Sequence, residues 1–183
     1  MQQYLDSIKA SLAIRNYFGA ITIALILPDI CASVDSDDNK TSGEKYCIWF
    51  NKYLAEKFTA LFKDDNQSHI IFGPNECYAT RCSFLHQGTH IIQHQYQTLK
   101  FAKHRTVGAV SFMSLETDPH LSRKNYLRTS DILFIDSNFF CETMISAVES
   151  WMDDIKVEKY KLEKLAAMPN IHLDFHSICN FSK

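Results

Sequence analysis

A chain of 183 residues, 46% hydrophobic and 22% charged, carries enough apolar side chain for one compact domain and lacks the apolar-poor signature of disorder. Its net charge of −2 and pI near 6.4 exclude a histone-like protein that holds nucleic acid by bulk positive charge. Its six cysteines (31, 47, 77, 82, 141 and 179) are scattered, several inside apolar helix-like patterns where a free thiol behaves as a small buried hydrophobe, so a reducing, cytoplasmic setting is expected.

Tyr4, Leu5, Ile8 and Leu12 recur at helical spacing and predict an amphipathic helix over 4–14. Residues 17–34 are apolar on nearly all sides, as a helix in the middle of a bundle reads, with Pro28 expected to kink or restart it. The longest apolar stretch, 21–27, stops at Pro28 and Asp29, short of the roughly 20 residues of a membrane span. It also lies behind Asp6, Lys9 and Arg15, too far in for a typical secretory signal, so no membrane partner is expected. The run DSDDNKTSG (35–43) is turn chemistry, and Thr41 or Ser42 can cap the next helix. There Tyr46, Trp49, Phe50, Tyr53, Leu54, Phe58 and Leu61 form one broad stripe, which reads as a core face rather than a cofactor box.

Gly73-Pro74-Asn75 breaks the chain. Asn75 is placed to cap a short helix over 75–87, which Gly88 would end as a left-handed residue. Segments 107–113 and 131–135 read as short strands, a hairpin across the polar loop 116–125. A last long helix starts near 138 with Asp136 or Ser137 as its cap, and its apolar positions are Phe140, Met144, Val148, Trp151, Met152 and Ile155. It continues or restarts through Tyr160, Leu162 and Leu165 as far as Pro169. The expected fold is therefore mainly α. Residues 1–183 form a single domain of four or five bundled helices, with a small β-hairpin excursion at about 105–136 before the last long helix.

The block CYATRCSFLHQG (77–88) places Arg81 and His86 late in their helix with four residues between them. It resembles the Arg-x4–6-His signature of the HEPN superfamily, which lies late in a helix of a four-helix bundle. The two long apolar helices before it, the glycine after it and the amphipathic helix that closes the chain follow the same frame. The blocks GEKYCIWFNKYL, CYATRCSFLHQG and FCETMISAVESW are also similar to a group of uncharacterised bacterial proteins, which implies no activity. One departure is Cys82, where many active HEPN ribonucleases place a polar residue directly after the arginine.

The resemblance implies a HEPN-like bundle that acts on or binds RNA, most concretely as a metal-independent endoribonuclease of a bacterial defence or toxin system. Such enzymes work as homodimers with one composite site, which implies a homodimer here and, for a toxin, an antitoxin or regulatory protein as partner. No metal or cofactor is required. The 2′-hydroxyl of RNA can attack the neighbouring phosphate if one group moves protons and a cation holds the developing charge. His86 suits the first task as general base or acid, and Arg81 the second as a bidentate phosphate ligand. Tyr78, one turn before Arg81, can stack or position, and Ser83 can donate a hydrogen bond. Lys100, Lys103 and Arg105, with His104, form a candidate RNA-binding patch; Arg123, Lys124 and Arg128 form a second, and each also reads as a solvated face.

In a regular α-helix, residues five apart are turned by about 140°. Arg81 and His86 would then flank a groove edge, with Tyr78, Cys82 and Leu85 as the inward stripe. The alternative is structural: Arg81 pairs with an acidic neighbour and His86 caps the helix C-terminus, where the dipole favours a cation. The chain would then be a non-catalytic domain that dimerises or docks to a partner, and an Arg81 buried in an ion pair would sink the catalytic reading.

Cys77, Cys82, His86, His90 and His94 have spacings found in zinc sites, but HQGTH (86–90) lacks the glutamate that HExxH proteases use as base. No GxSxG elbow, Walker loop or Rossmann glycine pattern occurs. The carboxylates at 35–38 and 64–65 read as solvated turns, and Asp153 and Asp154 as the polar side of a surface helix.

Overall fold

The computed structural model describes residues 1–62, 67–95, 107–114 and 125–169, and its described part is mainly helical with two small sheets. Helix α1 (Gln2–Ala13) buries Leu5 and Ile8 and ends at a corner where Arg15 has φ 58°. Asn16 caps α2 (Tyr17–Asp35), its side chain accepting the Gly19 N–H at 3.1 Å.

Helix α2 is the centre of the fold and touches α1, α3, α4, α5 and α6, which is why nearly all of its sides are apolar. The helix does not restart at Pro28. The proline is buried and the helix passes through it, while the Tyr46 hydroxyl from the next helix donates to the Leu25 carbonyl (3.3 Å) within the turn before the ring. At 19 uninterrupted residues, α2 is long and apolar enough to cross a membrane by length and composition, contrary to the sequence estimate. Half of its most apolar window is buried inside this fold, as in a core helix.

Ser42, the second of the two candidates, caps α3 (Gly43–Tyr53): the Lys45 N–H donates to its Oγ at 3.2 Å. The aromatic stripe was expected to stay helical to Leu61, but the chain leaves the helix at Leu54 and makes a 3₁₀ turn (Ala55–Phe58). It then enters strand β1 (Thr59–Phe62), antiparallel to β2 (Gln67–Ile70). The tighter turn swings Phe58 into a cluster with Phe50, Phe72, Phe139 and Phe140, ring centroids 5.3–6.3 Å apart. Tertiary packing overrides the helical period there.

Helix α4 (Pro74–Cys82) follows. The later strands β3 (Ala109–Met113), β4 (Tyr126–Thr129) and β5 (Ile132–Asp136) form a sheet of order β3-β5-β4. The expected hairpin is thus corrected. β3 and β5 are parallel neighbours, Ala109 opposite Ile132 and Met113 opposite Asp136, whereas the hairpin joins β4 to β5 through Ser130 at φ 51°. Parallel pairing leaves no local turn signal for a sequence reading to detect, and a serine stands where glycine or asparagine would have announced the hairpin.

Asp136 caps α5 (Ser137–Ile155), accepting the Phe139 N–H at 2.9 Å, and the helix buries Phe140, Met144, Val148, Trp151 and Ile155. The chain restarts, rather than continues, as α6 (Lys159–Ala166).

Candidate functional site

The cap of helix α4 lies two residues earlier than expected. Gly73, not Asn75, is the N-cap, because Pro74 is pre-set for the first helical position and needs no donor there. The Glu76 carboxylate reaches back to the Gly73 N–H at 3.1 Å. The helix buries Glu76, Cys77, Ala79 and Thr80, so the inward face is not the expected Tyr78/Cys82/Leu85 stripe. Tyr78 is half-buried, edge-on to Tyr46 at 5.2 Å, and Cys82 and Leu85 are also only partly covered.

From Ser83 to Gln87 the helix widens into a π turn, and Gly88, at φ 63°, closes it with its N–H on the Ser83 carbonyl. The widening changes the geometry of the motif. In place of two residues on opposite sides of a groove edge, Arg81 Nη1 lies 2.7 Å from His86 Nε2, with His86 exposed. π turns of this kind are rare and recur at functional sites. Arginine can only donate, so Nε2 is the acceptor in this contact and the ring proton belongs on Nδ1.

The other edge of the guanidinium faces α2, where Arg81 Nε is 2.7 Å from Asp29 Oδ2. Both side chains are largely covered, Arg81 at 21% and Asp29 at 12% exposure. The second Asp29 oxygen accepts the Thr41 hydroxyl at 3.3 Å. Burial pushes the Asp29 carboxyl above its ordinary value, with the Arg81 guanidinium pulling the other way. For Arg81, burial opposes the charge, but Asp29 and Cys82 together outweigh it and raise the guanidinium further. The ion pair foreseen by the structural alternative is therefore present, with Arg81 partly exposed rather than buried in it.

Asp29 was missed as a site residue and read only as the end of an apolar run. An acid inside a helix that is apolar on all sides was the available signal, because such a group must find a cation or a set of donors.

Ser83 is fully buried and its hydroxyl has no hydrogen-bond partner among the described residues. It has no open face to offer a substrate, which corrects its assignment as an auxiliary donor. Lys100, Lys103, His104, Arg105, Arg123 and Lys124 lie outside the described residues, and Arg128 is exposed on β4. Among the described residues no three His, Cys, Asp or Glu side chains gather to hold a metal, and Cys77, Cys82, His86, His90 and His94 do not converge.

Comparison with known proteins returns no matching family model, no matching curated protein and no matching solved structure.

Proposed function

We propose that the chain is a HEPN-like, metal-independent endoribonuclease of a defence or toxin system, acting through Arg81 and His86. The observation that carries this reading is the 2.7 Å contact between the arginine and an exposed histidine, made by a π turn at the end of α4. A cation and a proton carrier are then within reach of one phosphodiester. Arg81 Nη1 turns its N–H from His86 Nε2 to a non-bridging phosphate oxygen, which frees the Nε2 lone pair. His86 accepts the 2′-hydroxyl proton, the O2′–P bond forms, and the P–O5′ bond breaks with the 5′ oxygen taking a proton from water. The products are a 2′,3′-cyclic phosphate and a 5′-hydroxyl.

The resemblance pairs two such helices in a homodimer. Phe18 is 70% exposed and lies tilted against Phe84 of the π turn at 5.1 Å, so apolar surface beside the pair supports a second copy at this edge. Cytoplasmic action and restraint by an antitoxin belong to the same reading.

A second reading, a non-catalytic helical domain that dimerises or docks to a partner, is favoured by the Asp29–Arg81 ion pair, which ties α2 to α4 and offsets the guanidinium charge. Incubation with mixed RNA in EDTA separates the two. Cleavage by the wild type that disappears in His86→Ala, with unchanged melting, supports the nuclease; no cleavage by either supports the docking domain.

A further inference from the structure

We propose that Asp29 is a positioning residue for this reaction. Its carboxylate holds the Nε edge of Arg81 against α2, so that the terminal N–H groups stay beside His86 and turn from it to a phosphate. The inference rests on the nuclease reading above and adds a residue that the Arg81/His86 motif does not contain.

Three observations carry it. The carboxylate is contacted on both oxygens, Oδ2 by Arg81 Nε in a 2.7 Å ion pair that lacks hydrogen-bond alignment and Oδ1 by the Thr41 hydroxyl at 3.3 Å, so its charge sits against one edge of the guanidinium. That charge acts on the edge of the guanidinium opposite the one that meets His86, so one rigid plane links the acid to the imidazole. The third is energetic. A covered ion pair is a poor way to stabilise a core, since two apolar side chains of the same volume serve as well or better. An acid kept in the most apolar helix of the fold is better accounted for by aiming Arg81, whose long side chain otherwise has several rotamers open to it.

The test is steady-state cleavage of RNA in EDTA by wild type, Asp29→Asn, Asp29→Glu, Arg81→Ala and Arg81→Ala/Asp29→Asn, each with its melting curve. Asp29→Asn is expected to lower kcat about 10- to 100-fold while KM stays within about twofold. Asp29→Glu should recover part of the loss. In the Arg81→Ala background, Asp29→Asn should cost nothing further, because Asp29 acts only through Arg81.

Wild-type kcat in Asp29→Asn, or a further fall in the double variant, would overturn the role of Asp29 and leave the nuclease reading standing. Absence of cleavage by the wild type overturns that reading and this inference together. If Asp29→Asn melts below the assay temperature, Thr41→Val takes its place: it frees one carboxylate oxygen and keeps the ion pair. A fall in kcat of about 2- to 10-fold is then expected, and an unchanged kcat overturns the proposal.

Discussion

Asp29 of α2 and Arg81 of α4 face each other at 2.7 Å between two packed helices, so the central helix and the motif helix share one covered charge pair. Removing one member strands the other. Arg81→Met should cost about 2–4 kcal/mol, because a largely buried carboxylate then loses its cation. Replacing both, as in Asp29→Leu/Arg81→Met, should cost less than the single change. Urea denaturation measures both, and a single-variant cost below about 0.5 kcal/mol, the scale of an exposed pair, would show that the pair is not covered in solution.

The same carboxyl sets a pH dependence. Its native value is raised above the ordinary 3.8, chiefly by burial. Between those two values the folded chain binds more protons than the unfolded one, so this group makes stability fall as pH rises through the window. Above it, the penalty stays constant. Asp29→Asn removes the group, and its stability should lack that fall when both proteins are melted across the acid range.

Helix α6 fully buries none of its own residues; Leu165 packs partly against the core, and polar contacts tie the helix to the end of α2. Lys164 donates to the Val34 and Ser36 carbonyls at the end of α2, and Asp35 accepts from Trp151 Nε1 at 3.0 Å and pairs with Lys161 at 2.9 Å. An acid at a helix C-terminus opposes the dipole, and these donors offset it. Lys161→Ala/Lys164→Ala should speed hydrogen exchange in α6 while leaving α5 protected. Equal protection of α6 in the variant would show that apolar contacts hold it instead.

Gly88 ends the π turn at φ 63°, with open space where a Cβ would sit, so Gly88→Ala tests backbone conformation alone. A loss of about 1–2 kcal/mol is expected from the left-handed geometry. The Arg81–His86 contact depends on that turn, so RNA cleavage should fall with it. A neutral melting temperature would mean that the turn is not held in this form.

Thiol reactivity tests the packing of the core. Burial pushes the Cys31 and Cys77 thiols well up, and those of Cys47 and Cys141 up to about 12, whereas Cys82 is partly exposed. Of these five, Cys82 should be the one labelled by a thiol reagent near pH 8 in the folded protein. Rapid labelling of Cys77 would contradict the packing of α3 against α4, where the Tyr46 hydroxyl lies 3.2 Å from its sulfur.

What the sequence revealed divides by the range of the interactions involved. Ser42 and Asp136 are legible as caps because a helix start is local chemistry, and the α5 stripe is legible because a two-sided helix repeats its pattern over five turns. The parallel β3–β5 pair and the turn of Phe58 into a strand depend on partners far along the chain, which periodicity does not report. The site divides in the same way. Arg81 and His86 are visible as a spacing, yet their contact comes from a π turn outside the 3.6-residue rule that placed them apart. Asp29 is supplied by another helix, and Ser83 faces inward because it lies at helical spacing from the buried Glu76 and Thr80.

The most direct measurement of the central claim is the cleavage of RNA in EDTA by wild type, Arg81→Ala and His86→Ala, purified side by side and analysed for the ends of the products. Cleavage that leaves 2′,3′-cyclic phosphate, falls at least about 100-fold in both variants and leaves melting of His86→Ala unchanged is the expected result. Cleavage that survives His86→Ala, or a wild type that cuts no RNA, would contradict it.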